Sequence, residues 1–205
     1  MLVLLNVLLG GAFAAAAAGA VHLWRGHMAT ARLDDLQALA ARRGWSLSVP
    51  EERLGRTGAL RLAPRGGLPW TARSQAGAGT EFEAPEPRWA EGTLVALPAD
   101  GAAAPDLARL LGPEGARLAA QLQPVPAPPG LVVLADHDPR LRLPLDDLAR
   151  LLDQWPRPAS GARGLPVLTL GPEGLRLRLR HGIGRADHME RFIDLAQDAS
   201  RLIGP

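Results

Sequence analysis

The chain contains no cysteine, no lysine and no tyrosine. Without cysteine it can form no disulfide, no thiolate zinc site and no cysteine nucleophile. Without lysine and tyrosine, almost no group titrates between the N-terminal amine and arginine, whose pKa exceeds about 12. The sequence pI of 10.7 therefore arises from a formal net charge of only +2, and it does not indicate a nucleic-acid partner.

Aromatic residues and catalytic motifs are also scarce. The chain has five Trp and three Phe, and none alternates with arginine in the way that nucleic-acid readers need for base stacking. Trp45, Trp70 and Trp89 are predicted to supply a core rather than a ligand platform. No Walker A, zincin, EF-hand or G-x-S-x-G pattern occurs. The sequence therefore predicts no cofactor and favours a non-catalytic protein.

The first 24 residues carry no charged side chain. A helix rises about 1.5 Å per residue, so residues 1–24 are long enough to cross a hydrocarbon core of about 30 Å. The basic residues lie on the C-terminal flank, at Arg25, Arg32, Arg42 and Arg43. Because cytoplasmic flanks are enriched in positive charge, we expect a single-pass inner-membrane protein with its N-terminus outside and residues 25–205 in the cytoplasm. The same four arginines are candidates for contact with anionic lipid.

A cleaved signal peptide is the alternative. Ala18, Gly19 and Ala20 have the small side chains of a cleavage site, and cleavage there would release an exported domain that begins near Val21. A signal peptide usually has a basic residue before its apolar run, and this chain has none. The permanent anchor is therefore favoured, and the exported domain remains the alternative.

The remainder predicts an α+β fold: an antiparallel β-meander followed by a mixed α/β unit. We expect a juxtamembrane helix in residues 25–44 and a meander with a helical segment in 45–123. A proline-rich linker follows at 124–130, and the mixed unit fills 131–205. Hydrophobic periodicity and turn residues place the individual elements, among them a helix with an apolar stripe at 33, 36, 39 and 40 and a four-residue turn at 171–174. The predicted strands are 45–49, 59–62, 70–73, 80–83, 93–97, 131–135, 166–170 and 175–180, and the predicted helices are 29–43, 106–123, 146–155 and 187–203.

The best catalytic candidate is the cluster Asp136, His137 and Asp138, which follows the wholly apolar strand 131–135. Two carboxylates beside an imidazole can orient a general base or bind a metal ion. The same residues are also typical of a polar turn that ends a strand, because Asp138 is followed by Pro139 and an Asp-Pro pair often begins a turn. The turn is the favoured interpretation, and a membrane-tethered hydrolase or metal-dependent enzyme is the alternative function.

Three residues around the start of the last helix are weaker metal candidates: His181, His188 and Glu190. Asp187 and Glu190 also have the spacing of a capping box for that helix. Nearby, Arg176, Arg178 and Arg180 lie on one face of the predicted strand 175–180. A solvated arginine face opposed by acidic residues on a neighbouring strand is the favoured interpretation of these three.

Together these patterns predict a bitopic membrane protein whose cytoplasmic α+β domain is a non-catalytic binding or assembly module. Its expected partners are the lipid bilayer and another protein. The sequence identifies neither that partner nor a substrate, and it does not indicate the oligomeric state.

Overall fold

A computed structural model describes residues 32–49, 58–99, 117, 120–156 and 164–204. Nine strands in these residues form one sheet in which every pairing is antiparallel, and three α-helices accompany it. The predicted α+β class is therefore confirmed. The predicted anchor lies outside the described residues, and within them no helix has the length and apolar character needed to cross a bilayer.

Apart from β6, whose residues were predicted as the end of a helix and the start of the linker, the described elements follow the predicted order with shifts of one or two residues at their ends. The strands are β1 Trp45–Ser48, β2 Leu60–Pro64, β3 Thr71–Gln75, β4 Gly79–Ala84, β5 Leu94–Pro98, β6 Gln123–Val125, β7 Leu131–Ala135, β8 Val167–Gly171 and β9 Gly174–Leu179. The helices are α1 over residues 32–43, α2 Leu145–Asp153 and α3 Ala186–Arg201. A 3₁₀ turn spans Pro139–Leu141. The predicted helix 106–123 lies almost wholly outside the described residues, although residue 117 is helical.

The strand order in the sheet is β1-β2-β3-β4-β9-β8-β5-β7-β6. Strands β1 to β4 form the predicted meander, but β5 is not its fifth strand. It lies between β8 and β7, and β9 takes the place beside β4, with Phe82 opposite Leu177. The cause is visible in the burial pattern, because all five residues of β5 are buried. A strand of that kind needs cover on both faces, which the half-exposed meander cannot give.

In β2, β3, β4 and β9 the side chains alternate between a buried and a polar face. Leu62, Ala72, Phe82 and Leu177 point into the main core. On the other face Arg176 pairs with Glu83 at 3.0 Å and with Glu81 at 3.4 Å. The predicted pairing of arginines with acidic residues across neighbouring strands is thus confirmed for Arg176.

The other half of the sheet is apolar on both faces. Leu94 and Ala96 of β5 belong to the main core, whereas Val95 and Leu97 belong to a second cluster with Leu134 of β7. Residues 131–135 form the predicted apolar strand, but it is next to the edge rather than central.

The outermost strand on that side is β6, which includes Pro124 and Val125 from the predicted linker. Proline has no N–H to donate, so within sheets it is tolerated at an edge.

Helices α1 and α3 pack into the main core. Leu36, Leu39 and Ala40 of α1 are buried as its stripe predicts, and the helix stops at Gly44, whose φ of +69° suits glycine. The buried face of α3 includes Phe192 and Ala196.

Candidate functional site

One end of the sheet gathers most of the chemically interesting side chains. The register of the strands places one terminal residue of each at the same end of the sheet: Pro64, Thr71, Ala84, Gly174 and Ala135. The connections between these strands form what we call the loop end, which consists of residues 65–70, 85–93, 172–173 and 136–141. Because α3 runs toward this end, its last turn packs beside these connections.

A cleft of about 670 Å³ opens at the loop end. It lies between the β2–β3 loop, the segment after β4 and the last turn of α3, and we call it the loop-end cleft. Its volume is within the range of small-molecule sites.

Three aromatic rings form the floor of the cleft. The Trp45 and Trp70 rings meet edge to face with centroids 5.3 Å apart, and Trp70 stacks on Phe82 at 5.5 Å. All three side chains are buried, and Trp89 is buried as well. The prediction that the tryptophans supply the core is therefore confirmed, and the rings give the cleft a rigid apolar base.

One wall is an ion pair anchored to the helix end. The Glu86 side chain is only 3% exposed. It accepts hydrogen bonds from Arg88 at 2.6 and 2.7 Å and from the Ser200 hydroxyl at 2.6 Å. Arg88 also donates to the carbonyl oxygens of Ser200 and Ile203, both at 2.9 Å. We call this group the Glu86 clamp, and it ties the segment after β4 to the end of α3.

The clamp controls the protonation of its carboxylate. Burial raises the pKa of Glu86, but the hydrogen bonds from Arg88 and Ser200 outweigh burial, so the pKa lies below its ordinary value. The hydrogen bonds that Arg88 donates to Glu86 raise the pKa of Arg88. Both groups therefore stay charged at neutral pH and satisfy each other, which suits a structural role.

The rim of the cleft carries one exposed leucine and two further arginines. The Leu68 side chain is 85% exposed. Arg201 is 73% exposed and pairs with Asp198. Arg43 pairs with Asp194 and with Glu190, and its guanidinium lies over the Trp45 ring at 5.1 Å. The cleft thus combines an apolar floor with a rim of ion-paired arginines.

The cluster Asp136, His137 and Asp138 also lies at the loop end, directly after β7. The Asp136 carboxylate accepts two hydrogen bonds from the Thr93 N–H, at 3.0 and 2.9 Å, and lies 2.5 Å from His137 Nδ1. Burial raises the pKa of Asp136, but the hydrogen bonds from His137 and Thr93 lower the pKa by more than burial raises it, so the net shift is downward. The His137 ring packs 5.5 Å from Trp89.

Asp138 faces a different partner. Its carboxylate accepts a hydrogen bond from the Arg140 N–H at 3.1 Å and caps the 3₁₀ turn. The Arg140 side chain lowers the pKa of Asp138 to about 2. The two carboxylates therefore serve different neighbours. These are the contacts of the polar turn, and a catalytic role of Asp136, His137 and Asp138 stays a prediction.

The weaker metal candidates do not converge. His188 lies 4.0 Å from Asp187, while the Glu190 carboxylate binds Arg42 at 3.0 Å. Across the described ranges no three His, Cys, Asp or Glu side chains are grouped so that they could hold a metal ion. The His181 carbonyl oxygen accepts a hydrogen bond from the buried Thr80 hydroxyl, which is a structural contact of the main chain.

The predicted capping box is wrong. The N-cap of α3 is Arg185, and no side chain caps the helix. Asp187 pairs with Arg185 at 2.8 Å instead, and Glu190 faces α1. Because the helix begins at Ala186, Asp187 lies inside it and is not its N-cap.

The four candidate lipid contacts fall into two groups. Arg25 lies outside the described residues, and Arg32 is exposed at the start of the described part of α1. Arg42 and Arg43 instead form ion pairs with α3, through Glu190 and Asp194.

The cleft itself was not predicted from the sequence. Its only signal is the run Pro85-Glu86-Pro87-Arg88, where two prolines fix a short segment that carries an acid and a base. The pattern indicated a break between strands, and it gave no sign that Ser200 and Leu68 would join the segment from distant parts of the chain.

No protein-family model matches the chain, and no curated protein matches it. Among solved structures, the crystal structure of the mycobacterial trehalose monomycolate transport factor A, TtfA, is similar, with 12% sequence identity and a TM-score of 0.47. The similarity covers 84% of this chain and 96% of that one. A likeness at this level describes the course of the backbone and carries no inference about binding or activity.

Proposed function

We propose that the chain is a membrane-anchored, non-catalytic binding module and that the loop-end cleft receives its partner. The observation that carries this proposal is the cleft, in which an exposed leucine stands over a rigid aromatic floor. An apolar side chain such as Leu68 costs free energy while it is in water. A ligand that covers Leu68 would remove that cost.

The anchor in this proposal is residues 1–24, with residues 25–205 in the cytoplasm. Arg25 and Arg32 then lie beside the bilayer surface, where each basic residue contributes about 1 kcal/mol of attraction to anionic lipid. Arg42 and Arg43 serve a different purpose, because their partners on α3 hold α1 against the domain.

Fractionation of the full chain tests the anchor. We expect the intact protein in the membrane pellet after an alkaline carbonate wash, since only segments embedded in lipid resist that treatment. Intact chain in the supernatant would contradict the anchor. A mature N-terminus near Val21 would support the exported domain instead.

Thiol footprinting tests occupancy of the cleft. Because the chain has no cysteine, Leu68→Cys and Leu141→Cys each introduce a single reactive thiol. Both positions are exposed, at 85% and 95% respectively, and Leu141 does not line the cleft. We expect a maleimide to label position 68 more slowly in native membranes than in the purified chain, with position 141 labelled at the same rate in both. Equal rates at position 68 would overturn the proposal.

The hydrolase remains a second candidate because His137 contacts Asp136 at 2.5 Å. The binding module predicts no turnover of p-nitrophenyl acetate or p-nitrophenyl phosphate by the full chain above the buffer rate. An activity that is present in the native chain and lost in His137→Ala, with unchanged thermal stability, would favour the enzyme.

A further inference from the structure

We infer that the loop-end cleft binds a single-chain amphiphile with a carboxylate head group. This inference rests on the proposed function and specifies the class of ligand. Its basis is the arrangement of apolar and charged groups around the cleft, where the exposed side chains of Leu68 and Arg201 both line the opening.

The apolar part suits a flexible alkyl chain better than a flat ring. Trp45, Trp70 and Phe82 are buried and pack against one another, so little of their ring surface is left for a ligand to cover. The surface that remains is aliphatic, and it comes from Leu68 and from prolines such as Pro69 and Pro85. Aliphatic surface gains from burying methylene groups at about 0.8 kcal/mol each and has no directional preference.

The charged part suits an anion. Three arginines line the cleft, Arg43, Arg88 and Arg201, against one acidic residue, Glu86. The Glu86 carboxylate is already saturated by Arg88 and Ser200. Arg43 is held by Asp194 and Glu190 and lies over the Trp45 ring, so the charge that can turn toward a ligand is that of the exposed Arg201.

The acidic partner of Arg201 does not close the site. Asp198 lines a separate depression beside Trp155 and does not line the cleft. The pair between Arg201 and Asp198 is exposed, and exposed pairs contribute at most about 1 kcal/mol. Arg201 can therefore turn toward a ligand carboxylate at little cost, and guanidinium groups bind carboxylates through paired hydrogen bonds.

A brominated probe tests the inference, because bromine quenches tryptophan fluorescence on contact and Trp45 and Trp70 line the cleft. The protein is the full chain in phosphatidylcholine nanodiscs, with Trp24→Phe to remove the signal of the predicted anchor. The probes are 11-bromoundecanoate and the uncharged 11-bromoundecanol, with acetate as the head group alone. We expect saturable quenching, with the carboxylate binding about tenfold more tightly than the alcohol and acetate without effect.

Matched variants separate the cleft from partitioning into lipid. Leu68→Asp is expected to weaken binding of the carboxylate about tenfold, whereas Leu141→Asp, at an equally exposed leucine outside the cleft, leaves it within about twofold. Arg201→Gln is expected to remove the preference for the carboxylate over the alcohol. Both leucines are exposed, so neither substitution threatens folding, and circular dichroism checks this point.

Several results would overturn the inference: quenching without saturation, equal affinity for the two probes, or equal effects of Leu68→Asp and Leu141→Asp. If these occur while the thiol at position 68 is protected in native membranes, the cleft has a partner of another chemistry and the proposed function stands. If the thiol is not protected either, both proposals fail.

Discussion

Glu86 shows how a single buried carboxylate joins two distant parts of the chain. Its partners Arg88 and Ser200 belong to the segment after β4 and to α3, and Arg88 in turn binds the carbonyl oxygens at the helix end. Removing the charge of Glu86 leaves Arg88 and Ser200 with a weaker acceptor, and removing Arg88 or Ser200 leaves a buried carboxylate short of donors.

Glu86→Gln should therefore lower the free energy of unfolding at pH 7 by about 1–3 kcal/mol. Because the pKa of Glu86 is lower in the folded chain than its ordinary 4.5, the native chain loses this contribution as the pH falls below about 4.5. Urea unfolding at a series of pH values should show the two proteins converging in acid. The matched control is Glu173→Gln at an exposed turn residue. A stability gap that does not change with pH would contradict the assignment.

Thr80 is a second buried residue that joins distant parts of the chain, because its hydroxyl both donates and accepts hydrogen bonds. Its Oγ1 accepts from the Ile183 N–H at 2.9 Å and donates to the His181 carbonyl oxygen at 2.9 Å, while Ser74 Oγ lies 3.0 Å away and donates to the Ile183 carbonyl oxygen. The side chain is buried. These bonds fix the segment that connects β9 to α3.

Thr80→Val keeps the shape and removes the hydroxyl, so we expect a loss of about 1–3 kcal/mol from the unpaired Ile183 N–H and His181 carbonyl. Thr80→Ser retains the hydroxyl and should retain most of the stability. Thermal or urea unfolding distinguishes the two. If the valine variant were as stable as the serine variant, the hydroxyl would have no structural role.

At the scale of elements, the β8–β9 hairpin depends on close backbone approach. Gly174 has a φ of +118°, and a Cβ atom there would overlap the Ala84 carbonyl oxygen of the neighbouring strand. The residue directly opposite is Gly171, so the turn has two residues, Pro172 and Glu173. Glycine is thus required both by the turn and by the contact with β4.

Gly174→Ala is expected to lower the free energy of unfolding by about 3 kcal/mol, because it adds backbone strain to a steric overlap. Gly184→Ala is the control, since its Cβ would meet open space and its effect should stay within about 0.5 kcal/mol. Chemical unfolding monitored by circular dichroism compares them. Equal effects of the two substitutions would contradict the close contact between Gly174 and the Ala84 carbonyl oxygen.

Local patterns predicted most elements but not how they assemble. Alternation in β4 and β9, the stripe on α1 and the turn at residues 171–174 are set by neighbours in sequence, and the structure confirms them. The pairing of Phe82 with Leu177 joins residues far apart in the chain. The Glu86 clamp likewise depends on Ser200, which is far away in the sequence. Hydrophobic periodicity depends only on nearby residues, so it cannot predict such contacts. For the same reason, the loop-end cleft was not predicted.

At the scale of the molecule, the single sheet links the two predicted units. The main core contains Leu62 of β2 and Leu168 of β8, which lie in different predicted units, and both are at most 1% exposed. A shared core and continuous hydrogen bonding indicate that the described residues unfold together.

Leu62→Ala and Leu168→Ala should each lower the free energy of unfolding by about 2–5 kcal/mol. Both should shift one common transition, seen at the same urea concentration by circular dichroism and by tryptophan fluorescence. Leu141→Ala, at an exposed side chain, is the control. Two separate transitions, with each substitution shifting only one, would support a division at the predicted linker 124–130 instead.

The two borders of the sheet differ in a way that bears on self-association. At the β6 border, Pro124 interrupts the row of donors that another strand would need. At the β1 border, residues 46–48 are Ser-Leu-Ser, which offers no such obstacle within the described part of the chain. Fibrillar growth under destabilising conditions should therefore start from β1. Because the Gly44 carbonyl oxygen accepts from Arg65 and alternate residues of β1 face β2, the Leu47 N–H points away from the sheet, and Leu47→Pro is the substitution with which to suppress such growth.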